Sequence, residues 1–463
     1  MSSQGARPVY RRDAGRHTPK IQSVDSVLNR QRHIAQVAQK YTDSPLTTLA
    51  YHMDSLWMHE AFSRVKKNSA SGVDGVSAAE YAKDLESNLA ELLDRAKSGS
   101  YRAPPVKRKL IPKNDHEFRA IGIPTVEDKV LQRAVAMVLE PIYEQEFIDC
   151  SYGFRPKRSA QQAMDALREA IKETDGGWVL DADIKGFFDT IEHKILREIL
   201  RKRIKDSVIL RLLSKWLKAG VMSEDVFHAA TGEGTPQGGV ISPLLSNIFL
   251  HEVLDSWFAQ EVLPRLKGKA KLVRFADDFV IVFEKQSDAL KVLGVLPKRF
   301  GKYGLELHPE KTRLVEFRHP WKGGGKPETF TFLGFTFYWG KTRNNGYAVQ
   351  RRTSSKKMRR SLSGIHEWCK KNRHKPIQWQ SRKLGEKLRG HFAYYGVTGN
   401  YKMIAEFRYR VERIWRHWLN RRSRKDDGMS WERFRTVVQE HFKLPPARII
   451  HKAQTEHQMT WTI

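Results

Sequence analysis

Aspartates interrupt two otherwise apolar stretches of the sequence. Asp277 and Asp278 are adjacent within Leu272–Phe283, and Asp181 and Asp183 come at the end of another apolar run. Adjacent like charges repel, and burying one unpaired charge costs several kcal/mol. Either the carboxylates are solvated or a cation compensates them. For the Asp277–Asp278 pair alone, a polar turn that happens to be acidic is the alternative.

The hydrophobic pattern predicts the elements that would position these carboxylates. Val273–Ala276 and Phe279–Phe283 are predicted to be paired strands, with Asp277 and Asp278 as the two-residue turn between them. Such turns prefer Asn-Gly or glycine-containing pairs, because their central residues need positive φ. An Asp-Asp pair departs from this preference, and such departures are common at functional sites.

A second strand is predicted over Trp178–Ala182, and alternation along it places Asp181 and Asp183 on one face. If the strand ends are neighbours, three carboxylates converge on a site for hard cations with oxygen ligands, which suits Mg²⁺. Two such ions about 4 Å apart can activate a 3′-hydroxyl and stabilise a leaving pyrophosphate. Asp189, with Glu192 three residues later, is expected to cap a following helix.

The composition points to a polyanionic partner. The 463 residues include 82 Lys or Arg against 52 Asp or Glu, a net charge of +30 and a pI near 10. Nucleic acid is the first candidate, while an anionic membrane or a merely solubilising surface remain alternatives. From residue 346 to 463 there are 28 basic and nine acidic residues, so this quarter of the chain holds most of the excess.

The same composition excludes several classes of protein. Cys150 and Cys369 are the only cysteines, so no disulfide framework or zinc ribbon is expected. No stretch approaches the roughly 18 apolar residues of a membrane span, and the polar N-terminus does not resemble a secretory signal. A cytoplasmic, nucleic-acid-associated protein is expected, with no membrane partner.

Three further segments have a clear local pattern. Residues 1–44 form a basic leader, irregular up to about Val24, with a helix predicted over Ser26–Lys40. Tyr101–Ile123 alternates basic and apolar residues, which predicts a short β-ribbon carrying cations. Val126–Ile148 is predicted to be a helix that Pro141 kinks or splits.

The basic C-terminal region is predicted to be helical. One apolar stripe recurs every three or four residues at Met403, Ile404, Phe407, Val411, Ile414, Trp415 and Trp418. Arginines fall between them, so the other face is either a solvated surface or a surface that grips phosphates.

Seven motifs, in order, resemble those of the reverse transcriptase/maturases encoded by bacterial group II introns. They are Ile111-Pro-Lys113 with Arg119-Ala-Ile-Gly-Ile-Pro124, Ser151-Tyr-Gly-Phe-Arg-Pro156, Asp183-Ile184, Gly234-Thr-Pro-Gln-Gly-Gly239, Phe275-Ala-Asp-Asp278, Gly304-Leu-Glu-Leu-His-Pro-Glu-Lys-Thr312 and Phe332-Leu-Gly-Phe335. The resemblance implies an α+β right-hand polymerase: fingers and palm with an antiparallel sheet, followed by a mostly α-helical thumb/maturase X domain. It further implies domains at 1–44 (a partly disordered leader), 45–345 (fingers and palm) and 346–463 (thumb/X).

The resemblance also implies roles for individual residues. Asp183, Asp277 and Asp278 would be catalytic and, with the Ile184 backbone carbonyl, would bind two Mg²⁺ ions, with Mn²⁺ as a substitute. The residues implied to bind nucleotide are Lys113, Arg119, Phe188, Gln237 and Lys311. Phe188 would exclude a ribose 2′-hydroxyl, although it or its neighbour Phe187 should pack inward as core. Lys113 and Arg119 would hold the triphosphate unless they merely belong to a solvated ribbon.

Partners follow from the same resemblance. Leu333 and Gly334 would grip the primer end. The arginines expected to bind RNA are Arg408, Arg413, Arg416, Arg421 and Arg422. The implied function is RNA-directed DNA synthesis from a DNA primer on an RNA template with dNTPs. The protein would also bind its group II intron RNA as a splicing maturase and support intron mobility at a DNA target.

One departure from many relatives and two alternatives remain. A C-terminal His-Asn-His endonuclease with cysteine pairs is not expected, so a primer would come from elsewhere, such as a nascent strand at a replication fork. The alternatives are a group II-like reverse transcriptase in a defence or repair system, and an RNA-binding splicing factor with an idle polymerase site.

Overall fold

The computed structural model describes residues 19–112, 118–223, 226–229, 232, 234, 238–321, 327–342, 344–422, 430–436 and 442–452. The helices in these ranges are α1 (Pro19–Lys40), α2 (Ser55–Ser63), α3 (Ala78–Tyr81), α4 (Leu85–Ser98), α5 (Val126–Tyr143), α6 (Ala160–Glu173), α7 (Phe187–Thr190), α8 (His193–Arg203), α9 (Ser207–Leu217), α10 (Ser242–Leu250), α11 (Gln286–Gly301), α12 (Ser355–Asn372), α13 (Ile377–Tyr395), α14 (Tyr401–Asn420) and α15 (Trp431–Phe434). The strands are β1 (Val106–Pro112), β2 (Phe118–Ile123), β3 (Trp178–Ala182), β4 (Val221–Ser223), β5 (Val226–His228), β6 (Ala270–Phe275), β7 (Asp278–Phe283), β8 (Arg313–Glu316), β9 (Phe330–Phe332), β10 (Phe335–Lys341) and β11 (Tyr347–Thr353). The expected α+β class with antiparallel sheets is confirmed.

The chain divides into two compact units, Met1–Phe147 with Gly186–Glu252 and Ile148–Lys185 with Val253–Ile463. In the first unit, the predicted cationic ribbon is confirmed. β1 and β2 pair antiparallel within a four-stranded sheet of order β2-β1-β4-β5. Most of β1 and the start of β2 are exposed, so the cations of the ribbon face solvent.

Helix α5 forms the centre of the first unit, and almost every side chain along it is buried. It ends at Tyr143 rather than at the expected Ile148, two residues after Pro141. Proline has no N–H to give to the carbonyl four residues earlier, which is that of Met137. The Gln31 Nε2 of α1 donates to the Met137 carbonyl at 2.9 Å instead. A side chain from α1 thereby supplies the hydrogen bond to the Met137 carbonyl that the proline cannot donate.

Helix α1 belongs to this core and is longer than predicted. It begins at Pro19 instead of Ser26, and proline is favoured in a first helical turn, where its missing N–H is not needed. Its apolar side chains Val27, Ile34 and Ala38 are buried. The helical part of the basic leader is therefore an integral element of the unit.

The C-terminal end of α1 is held by one buried cation. Arg203 of α8 donates through Nη2 to the Ala38 carbonyl at 2.5 Å, bonds the carbonyls of Tyr41 and Ser44, and pairs with Glu146. Its side chain is buried. The last carbonyls of a helix have no partner within the helix and carry partial negative charge, which a guanidinium satisfies.

The second unit is built on a four-stranded antiparallel sheet of order β6-β7-β3-β8, so the predicted strands at Trp178–Ala182 and around the Asp pair are confirmed. Helix α6 packs on one face through Met164 and Leu167, and α11 packs on the other, where Phe300 contacts Phe279. A second sheet, of order β11-β10-β9, joins the core on the α6 side. The expected boundary after residue 345 falls in the turn between β10 and β11.

The predicted helical C-terminal region is present within this unit. Its core is formed by α12, α13 and α14 with Phe434 and Leu444, and it includes the predicted stripe of α14 from Met403 to Trp418. Trp415 is fully buried and its Nε1 donates to Gln380 Oε1 at 2.9 Å. No helix within the described ranges is long and apolar enough to cross a membrane.

The Arg203 contacts predict a large effect on stability. Arg203→Met would leave the carbonyls of Ala38, Tyr41 and Ser44 and the Glu146 carboxylate without their donor, so we expect a loss of about 3–5 kcal/mol. Thermal and urea unfolding followed by circular dichroism measure this. Arg201→Met, at an exposed position of the same helix, is the control and should change stability by about 0.5 kcal/mol or less. Equal melting temperatures for the two variants would contradict the assignment.

Candidate active site

The turn between β6 and β7 is displaced by one residue from its predicted position. Phe275 pairs with Asp278, so the two turn residues are Ala276 and Asp277, and Asp278 is the first residue of β7. Ala276 has a φ of 58° while Asp277 does not have positive φ, the φ pattern of a type II′ hairpin turn. The prediction was wrong because this sheet is buried on both faces, so apolar alternation does not define the register.

The pairing of β3 with β7 brings the two acidic sites together. Asp181 lies opposite Val280 and Ala182 opposite Phe279. Continuing this register places Asp183 level with Asp278. Residues directly opposite on antiparallel strands share a face, so Asp181, Asp183 and Asp278 open onto the same side of the sheet.

Ile184, directly after Asp183, is fixed by the segment before β8. The His308 N–H donates to the Asp183 carbonyl at 2.8 Å, and the Lys185 N–H donates to the Glu306 carbonyl at 2.9 Å. These bonds flank the bridge between Ile184 and Leu307. In such a pair the Ile184 carbonyl points away from the bonded segment, towards the side on which β7 lies.

A crevice of about 1120 Å³ opens over these carboxylates. Its walls come from β3, β7, the segment around β8, the β9–β10 turn, the start of α12 and the end of α13. Its lining includes Asp181, Asp183, Asp278, Lys311, Arg313, Leu333, Gly334, Lys357 and Tyr394.

Negative charge dominates the floor of the crevice. The Asp278 side chain reaches water, yet the protein atoms crowded around it and then the charges of Asp277, Asp183 and Asp181 raise its pKa to about 7, while Lys357 opposes the shift. Burial also raises the pKa of Asp181 to about 6, against the lowering effect of Arg313, whose Nε lies 3.5 Å from the carboxylate. Repulsion between these groups is what a bound cation would relieve.

The predicted convergence of three carboxylates is partial. The Lys311 ammonium lies 2.7 Å from the Asp183 carboxylate, so Lys311 contacts a predicted metal ligand. Among the residues that the structure describes, no three His, Cys, Asp or Glu side chains are gathered closely enough to hold a metal ion. The fold brings Asp183 and Asp278 onto one crevice, with Asp277 beside them in the turn.

Leu333 and Gly334 form the two-residue turn between β9 and β10, with φ of 49° and 82°. Positive φ at both positions is the pattern of a type I′ hairpin. The Tyr394 hydroxyl donates to the Leu333 carbonyl at 2.9 Å, and the Ser354 N–H donates to the Gly334 carbonyl at 3.0 Å. The turn that was expected to grip a primer thus lines the carboxylate crevice and is fixed by two helical segments.

The remaining predicted nucleotide-binding residues belong to the first unit. Arg119 is exposed on β2 opposite Ile111. Phe187 is buried and contacts Phe249, whereas Phe188 is half-buried, so the expectation that one of the two packs inward is confirmed. Lys113 and Gln237 lie outside the described residues.

The expected cap by Asp189 is wrong. Asp189 lies inside the short helix α7, whose N-cap is Gly186 with a φ of 57°. Helix α8 begins later, at His193, with Glu192 as an N-cap that makes no side-chain bond. The backbone is extended at Ile191 and Glu192, with ψ of 110° and 124°, and this break separates Asp189 from the helix it was expected to cap.

The five arginines proposed to bind RNA lie on or just after α14 and have different surroundings. Arg408 donates to the Pro445 carbonyl at 3.1 Å and pairs with Glu412 at 2.8 Å, while Arg422 donates to the Lys375 carbonyl at 2.6 Å. Arg413, Arg416 and Arg421 lie over the rings of Tyr409, Trp431 and Trp418, respectively. Arg408 and Arg422 therefore also make contacts that hold the unit together.

Sequence reasoning missed Arg313, Lys357 and Tyr394 as residues of the crevice. Arg313 directly follows the motif that ends at Thr312, so adjacency was a usable signal. Lys357 and Tyr394 come from helices more than 70 residues after the Asp pair, and no local pattern distinguishes them from the many other basic and aromatic residues there.

Comparison with known proteins agrees with this geometry. Residues 111–337 match the family model of reverse transcriptase (RNA-dependent DNA polymerase). Protein YkfC of Escherichia coli strain K12 is 35% identical over 295 residues, which cover 56% of this chain and 76% of that protein. The group II intron-encoded protein LtrA of Lactococcus lactis subsp. cremoris is 38% identical over 231 residues, covering 49% of this chain and 38% of LtrA.

A third relative is the putative COX1/OXI3 intron 2 protein of Saccharomyces cerevisiae, 33% identical over 195 residues, or 41% of this chain and 21% of that protein. The matched family segment contains Asp183, Asp277, Asp278 and the Leu333–Gly334 turn. The chain belongs to the reverse transcriptase (RNA-dependent DNA polymerase) family.

Proposed function

We propose that the chain extends a primer 3′-hydroxyl with dNTPs on an RNA template, using Asp183, Asp277 and Asp278 to hold two Mg²⁺ ions. One observation carries this proposal: the carboxylate crevice, in which β3 and β7 place Asp183 beside Asp278 and the Leu333–Gly334 turn forms part of the wall. Family membership implies the right-hand polymerase fold. The proposed domains are fingers and palm over 45–345 and thumb/X over 346–463.

The residues present fit a divalent metal ion, which reverse transcriptases use. Carboxylate oxygens and a backbone carbonyl are the ligands that Mg²⁺ prefers. Burial and the charges of Asp277, Asp183 and Asp181 disfavour the ionised form of Asp278, which supports a cation there. Asp183, Asp277, Asp278 and the Ile184 carbonyl would hold the ions, which would activate the 3′-hydroxyl and stabilise the leaving pyrophosphate. Mn²⁺ would substitute for Mg²⁺ at the same ligands.

The other crevice residues would orient the substrates. Lys311, at 2.7 Å from Asp183, would fix that carboxylate and offer a cation to the incoming triphosphate. The Leu333–Gly334 turn would contact the primer end. In the first unit, Arg119 with Lys113 would contact the triphosphate, Gln237 would lie against the nucleotide, and Phe188 would exclude a 2′-hydroxyl.

We also propose that the protein binds a group II intron RNA and acts as its maturase. The name of LtrA supports this, as does the net charge of +19 over residues 346–463. An RNA duplex would be held through phosphates and 2′-hydroxyls, which need cations and little base readout. The proposed RNA contacts are Arg408, Arg413, Arg416, Arg421 and Arg422.

The first prediction tests the metal-binding carboxylates. Asp277→Ala should lower primer extension on an RNA template with dNTPs and Mg²⁺ by about 10²-fold or more, because it removes a ligand of the ions. Binding of intron RNA, measured by filter binding, should remain within about twofold of wild type, since phosphate contacts elsewhere dominate affinity. Asp94→Ala, an exposed carboxylate on α4, is the control.

Two outcomes would contradict this assignment. Extension by Asp277→Ala at the wild-type rate would show that the metal assignment is wrong. A wild-type protein that accelerates intron splicing without extending primers would favour the alternative of an idle polymerase site.

The half-buried position of Phe188 predicts an effect on sugar discrimination. Phe188→Val should lower the ratio of kcat/KM for dNTP to that for rNTP by about 10- to 100-fold, because the smaller side chain no longer excludes a 2′-hydroxyl. Single-nucleotide incorporation kinetics measure the ratio. Phe188→Tyr keeps the ring and should keep the discrimination, whereas an unchanged ratio in Phe188→Val would assign the ring to packing alone.

The β9–β10 turn predicts an effect on primer use. At Gly334, φ is 82° and an added Cβ would lie 3.1 Å from the Tyr395 hydroxyl. Gly334→Ala should therefore distort the turn and lower kcat/KM for the primer about tenfold, equivalent to about 1.4 kcal/mol. Gly364→Ala on α12, where a Cβ meets open space, is the matched control. Equal primer kinetics for both variants would remove the turn from the primer site.

A further inference from the structure

Directly behind the β6–β7 turn lies a completely buried ion pair between Arg274 and Asp255. Both side chains are inaccessible to water. Arg274 Nε donates to Asp255 Oδ1 at 2.8 Å, and Nη2 donates to Asp255 Oδ2 at 2.5 Å. Two parallel bonds fix the plane of a guanidinium as well as its position. The arginine is therefore held rigidly from the helical segment His251–Ser256.

The third guanidinium nitrogen reaches the turn itself. Arg274 Nη1 donates to the Ala276 carbonyl at 2.9 Å, within the protein interior. That carbonyl belongs to the peptide between Ala276 and Asp277, which is the central peptide of the two-residue turn. Flipping a central peptide interconverts turn types. Fixing this carbonyl thus fixes the backbone from which the Asp277 carboxylate extends.

The backbone of Arg274 and the outer side of the turn are also fixed. The Arg274 N–H donates to the Cys150 carbonyl at 2.7 Å, and the Tyr152 N–H donates to the Arg274 carbonyl at 2.9 Å. At Gly153, an added Cβ would lie only 2.3 Å from the Ala276 nitrogen, so no larger residue fits without displacing the turn. The Ser151-Tyr-Gly-Phe-Arg-Pro156 motif thereby acquires a physical role as the cover of this turn.

Stability alone does not require such a pair. Replacing a buried ion pair by apolar residues of similar volume is often neutral or stabilising by about 1–4 kcal/mol, because desolvation of both charges is costly. An apolar pair, however, cannot donate a hydrogen bond to the Ala276 carbonyl. The property that only the ion pair supplies is control of the peptide before Asp277.

We propose that Arg274, oriented by Asp255, is a positioning residue that sets the direction of the Asp277 carboxylate for metal binding. This inference rests on the proposed function, in which Asp277 is a metal ligand. Displacement of a reacting group by about 1 Å can cost about 10²-fold in rate. Loss of the Arg274 donor should therefore affect catalysis and metal affinity more than folding or nucleic-acid binding.

The test compares two variants with wild type. Arg274→Met/Asp255→Leu replaces the pair by apolar side chains, and Arg274→Lys keeps the charge but can reach only one of its two partners. For the double variant we expect a melting temperature near that of wild type, an unchanged Kd for primer–template, and kcat lower by about 10²-fold. We expect Mn²⁺ binding, measured by electron paramagnetic resonance with primer–template present, to be about tenfold weaker. Arg274→Lys should have a kcat and a Mn²⁺ affinity between those of wild type and the double variant.

The control is another buried guanidinium of the same unit. Arg351 lies on β11, and its Nη2 is 2.8 Å from the Asp165 carboxylate of α6. Arg351→Met should lower the melting temperature without changing Mn²⁺ affinity. If the double variant does not fold, Arg274→Lys decides, since a wild-type kcat and Mn²⁺ affinity in that variant overturn the proposal.

The outcomes separate this inference from the proposed function. If wild type fails to extend primers, the proposed function fails, and Mn²⁺ binding still reports on the turn without turnover. If wild type extends primers and Asp277→Ala does not, but both Arg274 variants match wild type in kcat and Mn²⁺ affinity, the positioning role is overturned while the proposed function stands.

Discussion

Repulsion between carboxylates is the constraint on which the second unit depends. Asp181, Asp183, Asp277 and Asp278 lie at the ends of β3 and β7. Burial raises the pKa of Asp278, and the charges of the other three aspartates raise it further. A flexible chain would relieve this strain by moving the side chains apart. Here the strands are held in place by packing, because α6 contacts one face of their sheet and α11 contacts the other. The apolar residues around the aspartates thus provide a rigid frame for an unfavourable arrangement of charge.

Cations from separate parts of the chain moderate that charge. Lys311 contacts Asp183, Arg313 lies opposite Asp181 on β8, and Lys357 at the start of α12 lowers the pKa of Asp278. Arg274 differs from these three because it is buried and faces the backbone of the turn. In the proposed function, exposed ammonium and guanidinium groups at the crevice would exchange partners when substrate phosphates bind. A buried bidentate pair cannot, so it suits a fixed part of the site.

The helical C-terminal region contributes to the crevice as well as to surface charge. Tyr394 of α13 and Ser354, the N-cap of α12, both bond the β9–β10 turn. The basic region that we propose to bind RNA is therefore also part of the structure that shapes the crevice. Some of its arginines also have structural partners, since Arg408 donates to the Pro445 carbonyl and Arg422 donates to the Lys375 carbonyl.

The resemblance of seven ordered motifs implied the class of fold. The residue pattern by itself determined the strands that carry the acidic residues, the cationic ribbon and the apolar stripe of α14. These features depend on local periodicity and on residue types, which act over a few neighbouring residues. Tertiary structure decided the register of the β6–β7 hairpin, and with it that Ala276 rather than an aspartate takes the strained φ. Burial on both faces removes the alternation from which a register could be read. Tertiary structure alone also brought Lys357 and Tyr394 to the aspartates and paired Arg274 with Asp255, because these partners are distant in sequence and no local pattern encodes such contacts.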